Sequence, residues 1–163
     1  MIVLGIDPGT ASTGYGVVSY WKGELSWKDH GCIRTSSRKK HSQRLLEIYN
    51  ELIKVIERNS PTVVAIEKIY FNLNVRTAMA VGEARGIAVL AAANYGLPVV
   101  EYNPLQVKMA LVGYGKAHKK QVQDMVRRVL SLPEIPKPND AADALAVAIC
   151  HAHSVGYLKE VGR

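Results

Sequence analysis

The run Ile2-Val3-Leu4-Gly5-Ile6 contains no polar side chain and ends on Asp7, followed at once by Pro8 and Gly9. An apolar run of this length bounded by turn formers is a strand covered on both faces, which requires a layer above it and a layer below. Thr62-Val63-Val64-Ala65-Ile66 repeats the pattern and ends on Glu67. A carboxylate at the lip of a core is costly unless hydrogen-bond donors or a cation compensate it, and a divalent metal is one such compensator. Taken alone, Asp7 has a plainer explanation, an Asx-type turn ahead of Pro8.

The rest of the chain supplies the covering layers. Tyr15 to Trp21 alternates like a strand exposed on one face, Lys22-Gly23 makes a tight turn, and Glu24 to Thr35 is a third strand, so three antiparallel strands come first. From about Lys39 the period becomes helical, with Leu45, Ile48, Tyr49, Leu52, Val55 and Ile56 on one face, until Asn59-Ser60-Pro61 ends it. A helix from about Val75 to Tyr95, closed by Gly96, follows the second apolar strand. Its Gly82 and Gly86 cost helix stability and suit a close approach, either by the sheet or by another subunit. Val99 to Tyr102 is a strand, and Asn103-Pro104 opens a helix that ends near Gly113. Lys116 to Leu130 is helical with Val122, Met125, Val126 and Val129 inward; a last helix starts at Asn139 or Asp140 and runs to about Val155. Helical crossovers make the first, fourth and fifth strands parallel, an α/β fold with a five-stranded mixed sheet flanked by helices.

If the first and fourth strands are neighbours, their ends lie about 4.8 Å apart, and Asp7 and Glu67 reach one ion. Asp140 and Asp143, three residues apart at a helix start, project from one face. By themselves they resemble a capping box, since acids favour helix N-termini. Joined to the strand-end acids they form a four-carboxylate, oxygen-only set suited to Mg²⁺ or Mn²⁺, with no need of Cys or His ligands.

Composition narrows the partners. The 163 residues are 48% hydrophobic, enough for one domain over 1–156, with 157–163 expected as a short flexible tail. Cys32 and Cys150 have no metal-binding or redox spacing and are expected to be reduced thiols. No stretch is long enough to span a bilayer and the start does not resemble a signal peptide, so a cytoplasmic protein without membrane contact is expected. The net charge of +7 favours a polyanion such as nucleic acid. Lys108, Lys116, Lys119 and Lys120 surround the Gly113-Tyr114-Gly115 loop near the expected acid edge, and with Arg76 they are candidate phosphate contacts. Arg127 and Arg128 fit a solvated surface. Tyr70 and Phe71 follow Glu67 into a loop; one fits the core and the other fits stacking on an unpaired base, worth about 1–3 kcal/mol.

Gly5-Ile-Asp-Pro-Gly9, Thr13-Gly-Tyr-Gly16, Gly31-Cys-Ile-Arg-Thr35, Ala65-Ile-Glu-Lys-Ile-Tyr70, Gly86-Ile-Ala-Val89, Gln106-Val-Lys108, Gln121-Val-Gln123 and Asp140-Ala-Ala-Asp-Ala-Leu-Ala146 together, in this order, resemble the RuvC-type Holliday-junction resolvases. The likeness covers nearly the whole chain. It implies a ribonuclease-H-like (retroviral-integrase-like) fold and a structure-specific endonuclease acting on four-way DNA junctions in recombination and repair. It further implies symmetric paired nicks leaving 5′-phosphate and 3′-hydroxyl ends, two Mg²⁺ ions per site with DNA bound, Mn²⁺ as a substitute, and a homodimer. By the same likeness Asp7, Glu67, Asp140 and Asp143 match the family's metal-binding carboxylates and Lys108 and Lys119 its functional lysines. Tyr70 sits where the family usually carries an aromatic, often Phe, and association with RuvA and RuvB is implied by the resemblance alone.

Three other readings compete. Gly5-Ile-Asp-Pro-Gly-Thr10 also looks like the phosphate loop of actin-like ATPases, but that fold clamps nucleotide between two such domains, and the chain has no GxxxxGK[ST] motif, so no nucleotide cofactor is expected. YqgF-like proteins share the nuclease fold with a different acid pattern. A non-catalytic junction-binding protein would bind four-way DNA without cutting it.

Overall fold

In the computed structural model, which describes residues 1–68 and 75–161 except the side chains of 75, 76 and 157–161, the two acid-ended strands lie side by side at the centre of a sheet. β1 (Ile2–Asp7) pairs antiparallel with β2 (Ser12–Trp21) and parallel with β4 (Val63–Glu67). β3 (Glu24–Arg34) extends the sheet beyond β2, and β5 (Val99–Tyr102) runs parallel to β4, for an order β3-β2-β1-β4-β5. Lys22 and Gly23 both have positive φ, 50° and 89°, which gives the β2–β3 hairpin the twist its strands require. β2 starts at Ser12, earlier than the alternation from Tyr15 indicates, because Gly14 pairs with Asp7 at the very end of β1.

Alternation along the central strands divides the interior in two. Leu4, Ile6, Val17, Val64 and Ile66 pack on α1 (His41–Asn59) and α2 (Val75–Asn94) through Ile48, Leu52, Val55, Ala88 and Ala91. Val3, Val18, Val63 and Ala65 pack on the opposite layer: α3 (Pro104–Val112), α4 (Lys119–Val129) and α5 (Asn139–Val161). Asn103 caps α3, its side chain accepting from the Gln106 N–H, and Gly113 ends it at φ 68°. α4 starts three residues later than the Lys116 expected from periodicity. The Ala117 N–H closes a turn on the Tyr114 carbonyl, and His118 takes the cap position. α5 runs to Val161, past the expected end near Val155, since Tyr157-Leu158-Lys159-Glu160 contains no helix breaker. Among the described residues no helix is long and apolar enough to cross a membrane, and both cysteines are free thiols.

The contact between α5 and the sheet places the acids. A Cβ at Gly5 would run into the Ala144 carbonyl, and one at Gly14 into the carbonyl of Asp140. The alanine-rich first turns of α5 therefore lie directly on a floor of strand backbone, with Ala141, Ala142, Ala144 and Leu145 fully buried. No residue type larger than glycine fits at Gly5 or Gly14 at that separation.

Candidate active site

Four elements converge at the carboxyl edge of the central strands. Asp7 ends β1 and Glu67 ends β4, one residue beyond the paired Ile6 and Ile66. α5 reaches the same edge with its N-terminus. Ala141 and Ala142 both donate to the Pro138 carbonyl, so Asp140 is already inside the helix and does not cap it as a capping box would require. One ligand atom each from Asp7, Asp140 and Asp143 lie within 4.8 Å of one another. Glu67 joins Asp7 and Asp143 in lining a cleft of about 420 Å³, whose other walls are Pro104, Val107 and Lys108 of α3, Lys119 and Val122 of α4, and Ala146. Three of the four acids thus form one tight group, and Glu67 faces the same cleft.

Charge in the cleft is unbalanced. Burial, followed by the charges of Asp143, Glu67 and Asp140, pushes the Asp7 carboxyl up to about 7, with only Lys119 opposing. Burial and Asp143 raise Glu67 against Lys119 and Lys108. Asp143 is raised by burial despite its ion pair with Lys119. Burial pulls the Lys119 ammonium down, but Asp143, Asp7 and Asp140 outweigh it and leave the lysine above its usual value. Hard oxygen donors this close, with one direct cationic contact among them, fit a divalent cation with remaining positions for water and phosphate oxygens.

The lysines divide into two groups. Lys108 and Lys119 line the cleft; Lys116 and Lys120 are exposed beside Lys119 in sequence but form no part of its wall. Among the other basic residues, Arg127 and Arg128 pair with Asp124, as a solvated surface requires, and Arg85 pairs with Glu101. Tyr70 and Phe71 lie outside the described residues, as does the side chain of Arg76.

Two contacts to the acids have no counterpart in the sequence reading. Ser12 donates from Oγ to Asp140 Oδ2 and is itself 2.8 Å from Cys32 Sγ. Gln123, one turn after Lys119 on α4, is buried. A spacing of four residues on one helix face is the only hint that Gln123 shares the direction of Lys119.

Comparison with known proteins agrees with this geometry. Residues 3–151 match the family model described as Crossover junction endodeoxyribonuclease RuvC. The Crossover junction endodeoxyribonuclease RuvC of Pelotomaculum thermopropionicum is 56% identical over 153 residues, covering 94% of this chain and 93% of its own. The Thermus thermophilus RuvC structure superposes with a TM-score of 0.89 at 38% identity, covering 96% of each chain. T. thermophilus RuvC in complex with Holliday junction substrate gives a TM-score of 0.91 at 38% identity, over 95% of this chain and 94% of that one. The five-stranded mixed sheet and its helices are accordingly a ribonuclease-H-like fold, and the chain belongs to the RuvC family of crossover junction endodeoxyribonucleases.

Proposed function

We propose that this protein resolves four-way DNA junctions by metal-dependent phosphodiester hydrolysis, nicking two strands of like polarity symmetrically in recombination and repair. The observation that carries the reading is the cleft in which Asp7, Glu67 and Asp143 meet Lys108 and Lys119, with Asp140 closing the acid cluster. Asp7, Glu67, Asp140 and Asp143 hold divalent cations, Mg²⁺ in the cell and Mn²⁺ as a substitute, two per site once DNA is bound. Bound there, such ions lower the pKa of water and neutralise charge on the scissile phosphate.

The chain's own groups do the rest. The carboxylates would hold the ions in place, and the Lys119 ammonium, free to turn from Asp143, stabilises the negative charge that develops on the reacting phosphate. Lys108 neutralises the approaching backbone from the α3 wall. Water oxygen joins phosphorus, the bond from phosphorus to O3′ breaks, and a proton passes to that oxygen, leaving 5′-phosphate and 3′-hydroxyl ends. Lys116, Lys120 and Arg76 hold flanking phosphates, and Tyr70 and Phe71 meet the unpaired bases at the crossover.

One cleft per chain cuts one strand, so paired nicks require two copies. The exposed Met79 and Leu90 of α2 and Leu46 of α1 offer an apolar face for a homodimer. A Cβ at Gly86, on that face, would meet nothing among the described residues, so packing against them does not account for this glycine. Cooperation with RuvA and RuvB on cytoplasmic DNA completes the reading. A fixed four-way junction and a linear duplex of the same sequence, incubated with the protein in Mg²⁺ or in chelator, test it. Cleavage confined to the junction and to Mg²⁺ is expected; equal cutting of the duplex, or junction cutting in chelator, would contradict it.

A further inference from the structure

α4 presents two side chains to Asp143, one helical turn apart. Lys119 sits in the first turn, its head more than half exposed, and forms the ion pair with Asp143. Gln123 sits four residues on, only 8% exposed. Among the described residues, its Nε2 is the one buried side-chain nitrogen or oxygen without a hydrogen-bond partner. Its carboxamide nevertheless lies within reach of the Asp143 carboxylate without forming a well-directed bond to it. A buried amide donor left unpaired costs free energy that an apolar side chain of the same volume, such as Met, would not. The donor faces a carboxylate whose present partner is needed elsewhere.

Lys119 is the exposed cation paired with Asp143 in the cleft. An ion held by Asp7, Asp140 and Asp143 repels its ammonium, and a phosphate attracts it. Once Lys119 leaves, the Asp143 carboxyl is free to rotate about its terminal torsion, which has broad minima. A neutral donor fixed in the core holds such a carboxylate without cancelling the charge the ion requires. We infer that Gln123 is a positioning residue for Asp143, its carboxamide nitrogen donating to one carboxylate oxygen when Lys119 departs and leaving the other turned toward the ion. This rests on the reading of Asp143 as a metal ligand.

The test uses the full chain and two measurements: Mn²⁺ affinity, from the spin-resonance signal of free Mn²⁺ during titration, and melting temperature in chelator. Gln123→Met removes the donor at nearly constant volume. Its Mn²⁺ dissociation constant should rise about 10-fold or more, the usual scale for outer-shell partners. Its melting temperature without metal should hold or increase, because no hydrogen bond is lost there. Gln123→Asn keeps the amide but draws it back by one methylene, and should also bind Mn²⁺ more weakly. Wild-type Mn²⁺ affinity in both variants overturns the inference. Weakened binding that only parallels a large fall in melting temperature in both variants assigns Gln123 a structural role and overturns it too. Absence of Mn²⁺ binding by the wild-type protein strikes the metal-ligand reading itself, and so is distinguishable from failure of the Gln123 inference.

Discussion

At Asp7, burial and the negative charge that the proposed metal site requires conflict. Unfolded, its carboxyl titrates in the ordinary carboxylate range; folded, burial and the neighbouring acids bring it to about 7. Between those values the folded chain holds a proton that the unfolded chain has released. The stability this contributes is present at low pH and is lost as the pH rises through about 7. Glu67 and Asp143, both raised mainly by burial, act in the same direction. Melting temperatures in chelator should therefore fall between roughly pH 5.5 and pH 8, less steeply for Asp7→Asn than for the wild type, and Mn²⁺ should restore the loss at the higher pH. A wild-type profile that coincides with that of Asp7→Asn would show that Asp7 is ionised throughout and that its burial has no energetic consequence.

Among single residues, legibility followed chemical contrast. Asp7 and Glu67 were visible because an acid at the end of an apolar strand is an anomaly, and Asp140 and Asp143 because their spacing shares a helix face. Ser12 carried no such mark: a serine among small polar residues is ordinary, and its bond to Asp140 spans 128 positions of sequence. Gln123 was hidden because amphipathic periodicity counts apolar positions and assigns polar ones to solvent.

At the scale of elements, the parallel direction of β1, β4 and β5 followed from the alternation of strand and helix patterns; the order of the sheet and the lengths of α4 and α5 did not. Helix ends depend on turn geometry around Tyr114 and on the absence of a breaker after Gly156, both weaker cues than periodicity. The placement of α5 depends on a feature with no periodic signature, the bare backbone of Gly5 and Gly14 beneath Ala144 and Asp140. Gly14→Ala should force α5 away from β2 by overpacking, at a cost of about 1–3 kcal/mol. Because the displaced residue is Asp140 itself, junction cleavage should fall further than the melting temperature alone explains. Chemical denaturation beside a cleavage assay on the folded fraction checks this; full activity in a stable Gly14→Ala protein would mean that the contact does not set the acid geometry.

Over the whole molecule, the proposal of two copies acting on one junction rests on the basic charge, the cleft and the apolar face on α1 and α2. Gly86→Phe adds bulk to that face where a Cβ meets no atom of the described residues. It should shift the protein toward monomer in light scattering and uncouple the paired nicks while leaving single-strand nicking possible. A Gly86→Phe protein that remains dimeric would remove this face from the interface.

The claim beneath all of these is that Asp7, Glu67, Asp140 and Asp143 act through a divalent ion, separately from DNA binding. Asp7→Asn keeps the shape of the side chain and deletes a ligand charge. Binding of a four-way junction in Ca²⁺ or chelator and cleavage in Mg²⁺, compared between the wild type and Asp7→Asn, separate the two roles. Binding should remain within about 3-fold of wild type, since one carboxylate facing phosphates opposes binding if anything. Cleavage should fall by on the order of 10²–10³-fold or more, the scale on which losing one preorganised charge-stabilising group acts. Cleavage near the wild-type rate by the Asp7→Asn protein would contradict the assignment of this cleft as the metal-dependent active site.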